Sequence, residues 1–177
     1  MLDVDPYEAL QRLRPVETFN VTSTDFEQGG PLARAQWAAF AGGADRSPQL
    51  SWSGFPAGTR SFAVTCLDPD APSGSGWWHW SVANLPASVT SLDSDAGAEG
   101  GDKLPEGAIM LGNDDGTVGF IGAGPPRGTG VHRYVFVVHA LDVEHTGADA
   151  NASPAFVGFT MFGHTLGRAL LTATFEQ

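Results

Sequence analysis

Only one of the 177 residues is a cysteine, Cys66. That count excludes a disulfide within the chain and a zinc site built from several thiolates. Basic residues are scarce as well: nine Lys and Arg stand against twenty Asp and Glu, for a formal net charge of −11. Such a balance argues against a broad nucleic-acid face and against attachment to anionic membranes. Charge of either sign is thin, at 16% of residues, so recognition is expected to concentrate in a local pocket. No apolar run approaches the roughly 18–20 residues of a membrane span. The acidic start after Met1 carries no signal-peptide pattern. A cytoplasmic protein with no membrane span is the expectation. Internal repeats and linker-like stretches are absent too, and the length suits a single domain over 1–177.

Glycine (23) and proline (12) are abundant, and with 42% hydrophobic residues they favour a globular, turn-rich, mainly β fold. The organising stretch runs from Phe62 to Asn84, FAVTCLDPDAPSGSGWWHWSVAN. Phe62 to Leu67 is apolar and partly β-branched, as in a buried strand. Asp68 and Asp70 follow, each next to a proline that fixes its own φ and keeps its neighbour out of the helical region. Two carboxylates are thereby held on a stiff corner. After the polar loop Ser73 to Gly76, a second strand begins, with His79, Ser81 and Ala83 expected on one face.

Elsewhere, Asp5-Pro6 reads as the capped start of a short helix. Phe19–Phe26 and Gln49–Ser53 read as strands, and Leu32–Phe40 is ambiguous. Residues 85–117 hold seven acids against the single base Lys103 and read as a long acidic excursion loop with one strand, Ala108–Leu111. Val118–Ile121 is a short strand candidate, and Val131–Leu141 carries the strongest strand signal. Ser153-Pro154 opens the one long helix, predicted to reach Leu170. Its apolar stripe includes Phe156, Phe159 and Phe162, and Gly158, Gly163 and Gly167 are expected as close-packing points. The tail Thr172–Phe175 can form a last strand.

Chemistry concentrates in two places. The first is the Asp68, Asp70 and His79 group. The second is Gly122-Ala123-Gly124-Pro125-Pro126 with the strand that carries His132 and Tyr134 on one face. Consecutive unblocked N–H groups at Gly122 to Gly124 can form an anion-binding concavity. Blander roles stand beside these. The two acids can be turn caps, the histidines can be hydrogen-bonded core residues, and Trp77, Trp78 and Trp80 can be core and pocket wall. Asn113-Asp114-Asp115-Gly116 reads as a turn; a calcium loop would need more oxygen ligands at regular spacing.

The segments DPDAPSGSGWWHW, GAGPPRGTG and VHRYVF resemble those of the phosphatidylethanolamine-binding protein family, also called Raf kinase inhibitor proteins. SPQLSWSG and the acidic loop resemble its bacterial YbhB/YbcL-type branch. The resemblance implies a PEBP-like antiparallel β-sandwich with a few peripheral helices and a small anion pocket at one end. It implies a pocket formed by Asp68, Asp70, His79, Gly122, Gly124, Pro126, His132 and Tyr134. It also implies a small anionic or phosphorylated ligand, a scaffold or inhibitor role toward a kinase or protease, and a homodimer flanked by the acidic loop. No tyrosine is present in the last helix to wall the pocket, and Phe159 or Phe162 is the candidate replacement.

Two carboxylates beside a bound anion are an electrostatic problem. At ~4 Å and an effective dielectric near 20, each like-charge pair costs about 4 kcal/mol. One carboxyl must be protonated or the histidines charged. The expectation is that Asp70 fixes His79 by a hydrogen bond and that anion affinity rises as pH falls toward 6. The alternative is a hydrolytic enzyme using Asp–His acid/base chemistry, although no G-x-S-x-G elbow is present. A metal site from these acids and histidines lacks any H-E-x-x-H-type spacing, so no metal and no cofactor are expected.

Overall fold

The structure, a computed structural model, describes residues 5–177. Helix α1 (Pro6–Leu13) starts as its sequence dictates: the Asp5 carboxylate accepts the N–H groups of Tyr7 at 2.9 Å and Glu8 at 3.0 Å. Short strands β1 (Glu17–Thr18), β2 (Asn20–Thr22) and β3 (Leu50–Ser53) precede the long strands β4 (Ser61–Asp68) and β5 (Trp77–Pro86). Then come β6 (Ser91–Leu92), β7 (Ile109–Met110), β8 (His132–Leu141), α2 (Pro154–Phe162) and β9 (Thr165–Phe175). The main sheet has the order β1-β9-β8-β4-β5-β7, and a smaller one the order β2-β3-β6. All pairs are antiparallel except β1 with β9.

The small sheet packs on one face of the main sheet and forms a sandwich. Leu50, Trp52 and Leu92 meet Phe62, Val64, Trp80, Val82, Phe136 and Val138 in one buried cluster. The opposite face of the main sheet lies under the helices. Ala63, Ala83 and Leu141 pack with Val157 and Met161 of α2, while Leu67, Val135 and Val137 pack with Tyr7 of α1. Because both faces are covered, every residue of β4 is buried, which is why its sequence reads as a continuous apolar run rather than an alternation.

Several elements differ from the sequence reading. Helix α2 keeps its Ser153 cap and Pro154 start but stops at Phe162. From Thr165 the chain is strand, held to β8 by a ladder from Leu141–Thr165 to His132–Phe175. A full antiparallel ladder outweighs the weak helical preference of a segment holding Gly163 and Gly167. The expected stripe is also turned: Val157 and Met161 are buried, while Phe156 and Phe159 face outward. Of the three glycines expected at close contacts, only Gly167 is at one, where a Cβ would lie 2.9 Å from Pro56. The 19–26 strand shrinks to β2, and Val118–Ile121 forms only a single bridge, Val118 to Gly112. Residues 85–117 are less of an excursion than their acidity suggests. Leu92, Ala96, Met110 and Leu111 are buried, and the segment supplies an edge strand to each sheet, β6 beside β3 and β7 beside β5.

His139 on β8 lies on the helical face, its ring 6.2 Å from that of Tyr7. Burial, and then the positive charge of Arg168, push its pKa down to about 3. Below about 6.5 the unfolded chain therefore binds a proton that folded His139 refuses. Stability from this residue is complete above pH 6.5 and declines as pH falls toward 3, by about 1.4 kcal/mol per pH unit. His139→Gln is expected to remove one such increment from the slope of unfolding free energy between pH 6 and pH 4. Urea denaturation of both proteins across that range checks it, and equal slopes would refute it.

Candidate functional site

The corner after β4 holds its two carboxylates in different ways. Asp68 turns back on its own corner. Its Oδ1 accepts the Asp70 N–H at 2.8 Å, and its Oδ2 accepts Nδ1–H of His132, the first residue of β8, at 2.7 Å. Both side chains are almost sealed from solvent, at 4% and 1% exposed. Asp70 pairs with Arg133. Its Oδ2 accepts the Arg133 backbone N–H at 2.9 Å and Nε–H at 2.8 Å, and its Oδ1 accepts an Nη2–H at 3.0 Å. That bonding holds the guanidinium pKa above its usual value. The expected Asp70–His79 hydrogen bond does not form, because Asp70 is committed to Arg133.

His79 reaches the site through an irregularity. Along β5, Trp78 pairs with Leu67 and Trp80 with Cys66, so two steps on β5 face one on β4. His79 is the extra residue of a bulge, which re-aims a side chain. It therefore does not share a face with Ala83, which lies under α2, but stands edge-on to Tyr134 with ring centroids 5.1 Å apart. Its Nδ1–H donates to Ile121 O at 2.8 Å, and burial lowers its pKa below the ordinary 6.5. The neutral ring then presents Nε2 as a free lone pair.

The glycine loop differs from expectation in its amides. Gly122 N–H donates to Asp45 Oδ1 at 2.8 Å and Ala123 N–H to Gln36 O at 3.0 Å, so neither is available to an anion. The glycines serve close approach instead. A Cβ on Gly122 would lie 2.4 Å from the Trp37 carbonyl, and one on Gly124 would strike the Phe40 ring at 2.2 Å. The Leu32–Phe40 segment, ambiguous by sequence, opens into two short 3-10 turns, Arg34–Gln36 and Ala39–Ala41, which lie against this loop.

Together these elements enclose a cavity of about 270 Å³. Asp68, His79, Gly122, Gly124, Pro126, His132 and Tyr134 all line it; Asp70 alone of the eight expected residues does not. Phe159 and Phe162 lie at a different cavity, so neither walls this one. Phe40 and Trp77 supply aromatic wall, and Asp115 adds a carboxylate. Trp77 was anticipated as wall; Phe40 and Asp115 were not, and no spacing in the sequence distinguishes them. Asp115 sits on the turn expected at Asn113–Gly116, where Asn113 Oδ1 accepts the Asp115 N–H and Asp114 anchors the Trp78 N–H.

The hydrogen-bond inventory constrains the chemistry. Thr129 Oγ1 lies 2.7 Å from Pro126 O and 2.8 Å from His132 Nε2. A hydroxyl has one proton and a carbonyl none, so the Thr129 proton goes to Pro126 O and the hydroxyl oxygen faces His132 Nε2. Thr129, His132 and Asp68 thus occur in the order of a nucleophile triad without the geometry of one. The hydroxyl does not line the cavity, its proton faces Pro126, and the nearby Gly122 and Ala123 amides are occupied. Ser73 donates to Gly76 O instead of to a histidine. Among the described residues, no group of three or more His, Cys, Asp or Glu is placed to hold a metal ion. The polar group left over is the Tyr134 hydroxyl, buried with no acceptor for its proton among the described residues, while the Gly124 amide lies beside it as a donor. Burial first, and then Asp68, raise its pKa well above the ordinary phenol value, so it stays protonated.

The sequence profile described as phosphatidylethanolamine-binding protein matches residues 22–176. The chain belongs to this family. Escherichia coli (strain K12) YbcL is 48% identical over 162 residues, covering 89% of this chain and 87% of that protein. YbhB of the same organism is 51% identical over 130 residues, covering 73% and 81%. The crystal structure of Escherichia coli YbcL superposes with a TM-score of 0.87 at 47% identity, over 90% of this chain and 98% of that one. A family homologue from Chlamydia trachomatis gives 0.76 at 28% identity, over 91% and 99%. The mainly β fold with its two helices is thus the family's fold, and the corner, bulge and glycine loop just described are this member's version of one end of it.

Removing one partner of a buried ion pair costs about 3–5 kcal/mol. Asp70→Asn keeps the shape but removes the charge opposite Arg133. Because Arg133 retains some solvent contact, a loss of about 2–3 kcal/mol is expected in chemical denaturation. Stability within 0.5 kcal/mol of the parent, ~the error of such measurements, would show the pair contributes little.

Proposed function

We propose that this chain is a small-anion or phosphorylated-ligand binding protein whose ligand occupies the 270 Å³ cavity. The observation that carries the reading is the Tyr134 hydroxyl, a protonated donor buried on the cavity wall with no acceptor among the described residues. A buried donor left unpaired is costly, and an anionic oxygen is the acceptor it lacks. The electrostatic objection to an anion is met inside the fold, since Asp68 faces His132 and Asp70 faces Arg133. Asp115 adds a carboxylate on the cavity wall suited to an ammonium. The name of the matching family supports a phosphoethanolamine-type group, in which phosphate and ammonium lie a few bonds apart. The exposed Phe40 ring at the same cavity offers an apolar contact through which a protein partner, such as a kinase or protease held by a scaffold or inhibitor, would sense occupancy.

His79 sets the pH dependence. In the empty pocket burial keeps the ring neutral; a bound anion favours the charged ring, so binding takes up as much as one proton. Affinity therefore rises as pH falls below about 6.5, by up to tenfold per unit. Sulfate does not titrate in this range and isolates the effect. Its Kd by calorimetry is expected to tighten several-fold or more from pH 8 to pH 5.5, and His79→Ala should flatten that dependence. Tyr134→Phe should weaken phosphate, phosphoethanolamine and sulfate alike by about tenfold, the worth of a hydrogen bond to a charged group. Equal sulfate affinity at both pH values, or full affinity in Tyr134→Phe, would refute the reading.

A further inference from the structure

The helical face of the main sheet holds a second cavity, of about 390 Å³, between α1 and α2. Its walls are apolar: Leu10 and Leu13 from α1, Phe159, Met161 and Phe162 from α2, and Trp78 from β5. At its sheet side stand Arg168 of β9 and His139 of β8, directly opposite each other in the ladder. Arg168 is only 4% exposed, and its Nε and Nη1 have no hydrogen-bond partner among the described residues. His139 Nδ1 is unpartnered as well, while its Nε2 lies 3.3 Å from Thr65 Oγ1. The neighbouring phenol, Tyr7, is raised to about 12 by burial, so it supplies no negative charge, and its hydroxyl meets Thr65. Arg14 adds a like charge and itself donates to the Phe162 and Thr165 carbonyls.

A guanidinium does not give up its proton at neutral pH, and a buried charge is tolerated when it is paired. Here the cation, a second unpaired nitrogen and an apolar enclosure converge with no internal counter-ion among the described residues. We propose that this cavity is a second ligand site, distinct from the anion pocket, that takes an amphiphilic carboxylate. The carboxylate pairs with Arg168 and accepts from His139 Nδ1, and a single apolar chain lies between α1 and α2. One buried cation matches a monoanion; a phosphate dianion would leave a negative charge uncompensated. The apolar tail is required by the walls and by the side chains around the cavity, where Leu13 and Phe159 are 76% and 82% exposed. Pockets of this size, mostly apolar with a few polar groups, are typical of small amphiphiles.

The test uses the full chain and sub-micellar decanoate, followed by calorimetry and Trp fluorescence. Saturable binding near one per chain is expected, at least tenfold tighter than decan-1-ol and than acetate. Arg168→Leu should abolish the preference for decanoate over decan-1-ol, and Phe159→Asp should weaken both by several-fold. His79→Ala should leave decanoate binding unchanged, and sulfate should not compete, which separates failure at this site from failure at the anion pocket. The comparison of decanoate, decan-1-ol and acetate on the unmodified chain decides the matter even where Arg168→Leu does not fold. Decan-1-ol binding as tightly as decanoate, displacement of decanoate by sulfate, or its loss in His79→Ala would each overturn the proposal. So would dimerisation that disappears in Phe159→Asp while decanoate does not bind, which would assign the face to a second copy of the chain.

Discussion

The Asp68 carboxylate meets the His132 ring at 2.7 Å where neither side chain has meaningful access to water. A carboxylate so placed, with no partner, would be strongly penalised and would bar any anion from the adjoining cavity. The pair ties the end of β4 to the start of β8, and the Asp70–Arg133 pair repeats the tie one step further on the other face. Two adjacent residues of β8 therefore hold the two acids of one corner in hydrogen bonds. This is possible because successive side chains of a strand point to opposite faces and the corner sits at the end of β4, beside the start of β8. The prolines matter for the same reason, since a mobile corner would spread both carboxylates over geometries in which neither meets its cation.

With both acids compensated, the polarity of the anion pocket is set by what remains. The Tyr134 hydroxyl is a fixed donor and His79 a conditional one, and both owe their placement to backbone register. Tyr134 is two residues beyond His132 and so shares its face. His79 is aimed by a bulge that sets the β5 strand out of step with β4. Trp78 on the helical face and Trp80 in the sandwich core already pair with the consecutive residues Leu67 and Cys66, so the bulge inserts His79 between two fixed packing points without disturbing the alternation that follows, and the histidine inherits their rigidity.

These origins explain what could be read from the chain beforehand. Asp68, His79, His132 and Tyr134 were legible because strand ends and alternation place polar residues at one end of an apolar sheet. Partner choice was not. His132 and Arg133 are neighbours in sequence, and only the register decides that the first meets Asp68 and the second Asp70. The bulge was hidden because it is a difference in residue count between two strands, visible only once they are paired. Gly122 was found for a wrong reason, since its amide is held by Asp45. A glycine needed so that another segment can approach within van der Waals distance looks, in sequence, the same as one that bares its amide to a ligand. Phe40 was missed because its role depends on that approach. The end of α2 was misplaced because an apolar stretch ending in ALLTATF suits a helix or a strand, and the ladder with β8 decides between them.

The same sheet offers an internal comparison for buried charge. Each acid near the corner has a basic side chain within hydrogen-bonding distance. Further along the sheet, Arg168 is as deeply buried as Asp68, yet has no acid paired with it among the described residues. Its cross-strand partner is His139, which burial and Arg168 itself keep neutral. Two adjacent basic side chains opposite one another in a ladder are an unfavourable pair, and an apolar residue of similar length would fill the space at no electrostatic cost. A fold that compensates its other buried charges from within leaves this one open on a cavity wall, between helices whose facing side chains are apolar. An external monoanion with a hydrocarbon tail satisfies every group exposed there, whereas water satisfies the guanidinium alone and leaves the walls wet.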